Sequence, residues 1–231
     1  MPRIRVSLTL VCATPPSIGA GGVGGTVADK VVVRNGSGQF IVPASQVKGK
    51  LRHACEQLLR AYDVPLCRPP VPENMCPQLR GMPEETWQSL PVDAEGNRRC
   101  LLCAVFGSPA YPSRLRFHDL VAVPSDLPRE SLRTMVSLNR QRRAAQEKRL
   151  FLVETAPPLE GLEFASQEAI TGHVDEEAHL HLLLAGLNLL HNWGGGSSRG
   201  LGWAATQAEA WMEGLVTLQR EEVARLCRSS R

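Results

Sequence analysis

No stretch of the chain approaches the ~20 consecutive apolar residues of a membrane span. The first residues, Met1-Pro2-Arg3-Ile4-Arg5-Val6, pass straight into strand-like alternation, so neither a transmembrane segment nor a cleaved signal peptide is expected. No internal repeat of short period is present. The phosphate-loop pattern G-x-x-x-x-G-K-[ST] is missing, and the first glycine run leads into an extended segment instead of a helix. That excludes a P-loop and deprives a dinucleotide fold of its strand–turn–helix context. The His-x-Glu and Pro-Cys-x-x-Cys pair of a zinc deaminase is also lacking.

Excess charge of one sign is missing too. The 26 Lys and Arg against 23 Asp and Glu leave a formal charge of only +3, too weak a sum to announce nucleic-acid binding. The distribution is more telling. Cations bunch at Lys48-Lys50-Arg52, Arg98-Arg99, Arg114-Arg116 and across Arg140-Arg142-Arg143-Lys148-Arg149, whereas acids gather at Glu84-Glu85 and Asp175-Glu176-Glu177.

What is present is an ordinary globular composition, 43% hydrophobic and 21% charged, in a chain long enough for one core and needing no second domain. Ile4, Val6, Leu8, Leu10 and Cys12 alternate as a half-buried strand. Residues 15–25 are too rich in proline and glycine for regular structure, and residues 29–33 read as a short extended edge. Ser45 stands as the N-cap of a helix through Val47, Leu51, Ala54, Cys55, Leu58 and Leu59. Strands follow at 115–123 and 149–154, with a polar, basic hairpin or loop between them from Asn139 to Lys148. An apolar helix spans 176–192, followed by the glycine-rich run Gly194–Gly202, another strand to about Ala210, and a final amphipathic helix within 208–231. The order strand, helix, strand, strand, helix, strand predicts an α+β chain of ferredoxin-like or RRM-like βαββαβ type, a single domain over 1–231.

Seven cysteines, two of them as Cys100-x-x-Cys103, favour a reducing cytoplasm and metal binding over a disulfide framework. Cys67, Cys76, Cys100 and Cys103 supply four thiolates for tetrahedral structural zinc. They lie in an irregular insertion, 63–112, with little apolar area of its own to bury, which a metal would order. Cys55 or His53 is an alternative for one ligand. Cys12 and Cys227 read as plain buried residues, His181 as core or interface, and His191 as a neighbour of the glycine loop.

A helix start carrying Ser45, Lys48, Lys50 and Arg52 offers backbone N–H groups and cations to a phosphate. The run Gly194, Gly195, Gly196, Ser197, Ser198, Arg199 lets backbone approach a phosphate chain, with Arg199 supplying charge. The plainer readings are a capped helix with solvated lysines and a helix C-cap loop.

Three blocks give these features a family. Val42 to Arg52, with its Pro43-x-Ser45 and Lys48-Gly-x-Leu-Arg52, resembles a signature of the RAMP superfamily. Gly194–Gly202 resembles that superfamily's C-terminal glycine-rich loop. Cys103-Ala-Val-Phe-Gly-Ser108, followed by Leu115-Arg-Phe-His-Asp119, is similar to a block of type III CRISPR backbone subunits. The blocks occur in family order and span the chain from the first strand to about residue 205.

The resemblance implies a prokaryotic, cytoplasmic RNA-binding subunit of a type III CRISPR effector complex. Its partners would be a guide CRISPR RNA, a single-stranded target RNA, neighbouring RAMP subunits and a large type III subunit, with no membrane. It implies a thumb-like region over 134–175, with Arg142 and Arg143 contacting RNA. It also makes Asp29 the catalytic residue for target cleavage, with Mg2+ or Mn2+. A carboxylate at a scissile phosphate can bind a divalent cation or orient the attacking 2′-hydroxyl. Lys30-Val31 departs from the family pattern, where a small residue and proline are common. The alternatives are an inactive structural subunit of the same complex, a guide-processing RAMP endoribonuclease, and a zinc-stabilised RNA-binding module of another kind.

Overall fold

Alternation over the first residues produces strand β1 (Arg3–Cys12), whose Ile4, Val6, Leu8 and Leu10 are each at most 1% exposed. The computed structural model describes residues 1–19, 28–78, 82–90, 92, 96 and 98–213. Within them follow β2 (Ile41–Val42), α1 (Ala44–Ala61), α2 (Glu84–Ser89), α3 (Leu101–Phe106), β3 (Leu115–Phe117) and β4 (Leu120–Val123). The remainder are β5 (Ser131–Asn139), β6 (Ala144–Thr155), β7 (Glu163–His173), α4 (Glu177–Asn188) and β8 (Ala204–Met212). The chain is a mixed α+β structure.

The main sheet has the order β2-β4-β7-β1-β8, with β3 also paired to β7, and every pairing is antiparallel. α1 buries Val47, Leu51, Ala54, Cys55 and Leu59, one stripe at helical spacing. α4 buries His179, Leu180, Leu182, Leu183, Leu184, Gly186 and Leu187 on nearly all sides. The two helices approach closely because Gly186 has no side chain: a Cβ there would lie 2.5 Å from Cys55 Sγ. No helix among the described residues is long and apolar enough to cross a membrane.

Several expectations need correction. Residues 149–154 are not a core strand. They belong to β6, which pairs with β5 in a separate two-stranded sheet, where Leu150 is 67% exposed. The core strand beside β1 is β7. It hides from periodicity because its alternation breaks: Val6 faces Ile170 while Leu8 faces Ser166. Two additional residues bulge out of the ladder between Ser166 and Ile170, which interrupts the alternating pattern. Of the segment 134–175 expected as thumb-like, the first part lies in the β5–β6 hairpin and Glu163–His173 lie in the main sheet as β7.

Residues 115–123 form two strands, because the His118 amide turns to the Ala169 carbonyl between β3 and β4. The expected helix over 208–231 does not begin at 208, since residues up to Met212 continue β8 against β1; residues 214–231 lie outside the described residues. Ser45 is not a cap. α1 begins at Ala44 after Pro43, and the Ala44 N–H donates to Asp119 Oδ1 at 2.7 Å, a carboxylate brought from the β3–β4 corner. The helix start is thus partly neutralised from within.

Candidate functional site

The glycine-rich run after α4 closes on itself and on the chain's N-terminal third. The Trp193 amide donates to the Gly202 carbonyl and the Gly195 amide to the Ser17 carbonyl. A Cβ at Gly202 would stand 1.9 Å from the Trp193 carbonyl oxygen, and one at Gly194 would stand 2.4 Å from that of Ser17. These two glycines admit the protein's own backbone, not that of a ligand. Gly200, at φ 78°, faces open space, and a short 3-10 turn over Ser197–Arg199 carries the cation.

Asp29 reaches the same place from the other side. Its amide donates to the Leu152 carbonyl, and the Glu154 amide donates to the Lys30 carbonyl, so residues 29–30 run along β6 like an added strand. The Leu152 amide donates to Asp29 Oδ2 at 2.8 Å. Val32 N–H donates to Glu154 Oε2 at 3.0 Å, and the Ser17 hydroxyl donates to the Glu154 carbonyl. The outcome is a cleft of about 340 Å³ lined by Asp29, Lys30, Gly195, Gly196 and Arg199 among others. The Arg199 guanidinium lies 5.9 Å from the Phe151 ring centre, within cation–π reach. One carboxylate and two cations flank a concave, glycine-floored surface.

The cations of α1 serve other ends. Lys50 Nζ donates to Asn192 Oδ1 at 2.9 Å, and burial lowers its ammonium below the ordinary range. Lys48 is lowered by burial and then by the charge of Arg52; its Nζ lies 5.8 Å from the Phe117 ring centre. Arg52 Nη1 donates to the Gly107 carbonyl at 2.8 Å. Lys48 and Arg52 line a second depression, apart from the Asp29 cleft, with Phe106 and Ser108. Arg142 and Arg143 are exposed where the β5–β6 hairpin reverses, Arg143 at φ 52°.

A third feature is the cysteine cluster. Cys67, Cys76, Cys100 and Cys103 are all buried, and their Sγ atoms lie within 4.8 Å of one another, Cys67 and Cys103 at 3.5 Å. Tetrahedral zinc with bonds of ~2.3 Å would hold its sulfurs about 3.8 Å apart, a spacing that lies between the 3.5 Å of Cys67–Cys103 and the 4.8 Å bound of the cluster. Hydrogen bonds from Cys103, Cys67 and Cys76 draw the Cys100 thiol far below its usual range, and the hydrogen bond to Cys100 drives Cys103 up. His53 is not a member of the cluster, and the Cys55 thiol instead meets the Leu182 carbonyl.

The sequence profile of the RAMP superfamily matches residues 9–205, from within β1 into β8. The chain belongs to the RAMP superfamily, which includes CRISPR-associated RNA-binding proteins. No curated protein matches it.

Within this RAMP protein, Asp29, Gly195, Gly196 and Arg199 converge in one cleft, and the four cysteines converge in another place. Ser45, Lys48, Lys50 and Arg52 do not join the first group. Sequence reasoning missed Glu154, Lys30 and Asp119 as organisers. Asp119 ends the Leu115–Asp119 block, so it was visible as a motif residue without a task. Glu154 had no signal, since its partner Val32 is 122 residues away.

Proposed function

We propose that the chain is a guide-RNA-binding backbone subunit of a type III CRISPR effector complex and that it cleaves complementary target RNA at Asp29. The observation that carries this reading is the shared cleft, in which an exposed carboxylate faces a glycine-floored loop bearing Arg199. Backbone and cations of that loop suit a sugar–phosphate chain whose sequence is read by base pairing, so no base-reading constellation is needed. Binding of this kind weakens steeply with salt.

The sheet order β4-β7-β1-β8, with α1 and α4 packed together, supports a ferredoxin-like, RRM-like core. The β5–β6 hairpin with Arg142 and Arg143 at its turn suits a thumb that interrupts the guide–target duplex. The described cysteines of segment 63–112 suit structural zinc, which makes that segment a metal-ordered insertion in a cytoplasmic protein.

Asp29 would hold Mg2+ or Mn2+ through its carboxylate, the hard oxygen donor that such ions prefer. The ion supplies charge neutralisation at the scissile phosphate. The protein supplies orientation: the Leu152 amide fixes the carboxylate plane, and Glu154 fixes the loop that carries it.

A structural, non-cleaving subunit is the second reading. It is favoured by the same Leu152–Asp29 bond, which already uses one carboxylate oxygen. Asp29→Ala in the assembled complex separates the two. Loss of one set of target cuts, with guide RNA and subunit content intact, supports cleavage here; unchanged cutting at every site leaves the structural subunit.

A further inference from the structure

We infer that Arg52 is the outer-sphere hydrogen-bond partner of the cysteine-bound metal, holding the metal segment against α1, and that it is not a contact for RNA phosphate. The inference rests on the zinc reading above and concerns how this chain tunes that site.

Arg52 is half-buried on α1 and bridges two acceptors. Nη1 meets the Gly107 carbonyl at 2.8 Å, and Nη2 meets Cys103 Sγ at 3.8 Å. Gly107 closes α3 at φ 79°, and a Cβ there would stand 2.5 Å from the Ser113 amide nitrogen. No side chain is tolerated, so the direction of that carbonyl is fixed and the guanidinium is held by a rigid acceptor. The second N–H then falls on Cys103 as a consequence of geometry.

Charge gives the arrangement a purpose. Four thiolates around a divalent cation leave a net −2 in a buried place, and buried charge is costly without a partner. Arg52 has no carboxylate partner among the described residues. Arg60, two turns further along α1, also reaches the segment, donating from Nη2 to the Cys67 carbonyl at 3.3 Å, but its charge is matched by Glu56 at 2.7 Å. Arg52 is thus a cation whose side chain reaches a ligating sulfur directly, and an N–H donated to such a sulfur withdraws electron density from it and orients it. A planar fork presents separate N–H groups to carbonyl and sulfur in a fixed geometry, whereas the three donors of an ammonium radiate from a single nitrogen.

The test uses the full chain purified with zinc, comparing wild type, Arg52→Met and Arg52→Lys. Zinc content is measured by mass spectrometry, release by transfer to a colorimetric chelator, and ligand field by the sulfur-to-cobalt charge-transfer bands of cobalt-substituted protein. Arg52→Met is expected to lower metal affinity by about 10- to 100-fold and to shift the cobalt bands. Arg52→Lys, which keeps the charge but replaces the fork by a single donor nitrogen, is expected to fall between. Affinity for single-stranded RNA is expected to change far less than in Arg199→Ala. Release and spectra unchanged in both variants, with zinc present, would overturn the role of Arg52 alone. A wild-type chain that holds no zinc would overturn the metal reading beneath it. Should Arg52→Met fail to fold, faster release from Arg52→Lys decides in favour and wild-type release decides against.

Discussion

The Asp29 carboxylate and the Leu152 amide are joined at 2.8 Å, so the residue proposed to act on RNA is fastened to the hairpin proposed to part the duplex. Position of the one constrains the other. Glu154 makes the second fastening through Val32, a residue only 6% exposed.

Removing the Glu154 carboxylate strands the Val32 amide away from water. Glu154→Ala is expected to cost about 1–3 kcal/mol of unfolding free energy. Glu154→Gln keeps an oxygen acceptor and should lose less. Urea titrations of the three proteins check the order, and equal midpoints for the Ala and wild-type chains would refute the fastening.

Asp119 caps a helix that starts 75 residues earlier in the chain. Asp119→Ala should cost ~1 kcal/mol, within the range for losing an N-cap acceptor. Asp119→Asn, which retains the oxygen, should recover most of it. The readout is the midpoint of thermal or denaturant unfolding.

Two glycines of the loop after α4 should respond unequally to alanine. Gly202 sits at φ 70° with its absent Cβ aimed at the Trp193 carbonyl, so Gly202→Ala combines backbone strain with a collision and should cost at least ~2 kcal/mol. Gly200 has a similar φ but nothing within 4 Å; Gly200→Ala should cost only the left-handed penalty, about 1 kcal/mol. Equal losses would show that the Trp193–Gly202 closure is not rigid.

His179 gives a pH dependence of known sign. Burial pulls its imidazole below the ordinary 6.5, against the opposing charges of Asp175 and Glu176. The folded state thus prefers neutral His179, while the unfolded chain takes up a proton once the pH falls below about 6.5. Its contribution to stability is complete above that value and declines as acid drives the folded group toward protonation. His179→Gln should flatten that part of the profile. Unfolding free energies at a series of pH values, taken as the difference between the two chains, isolate it from acid effects on the cysteines.

Periodicity made the framework legible where one face alternates cleanly. β1 and α1 followed from Ile4-Val6-Leu8-Leu10 and from Val47-Leu51-Cys55-Leu59 with little ambiguity. β7 was illegible because Gln167 and Glu168 are exposed after Phe164 and Ala169 and Ile170 are then buried side by side, and β6 took its place because Leu150-Phe151-Leu152-Val153 looks like a buried run. The cysteines were legible as a set because thiols have few other uses in such a segment. What sequence could not supply was geometry across distance. Lys48, Lys50 and Arg52 looked free as a basic stripe, yet two of the three are engaged by Asn192, Gly107 and Cys103. Arg199 looked the same and is exposed in the cleft.

The place of β1 in the sheet has a consequence for biogenesis. β1 lies between β7 and β8, which are made only after β2 through β6. Its row of isoleucine, valine and leucine therefore waits unpartnered until β7 emerges. Closing such distant pairs is slow and leaves sticky surface uncovered meanwhile, and loss of β8 would leave one side of β1 as an open edge for any other strand to pair with.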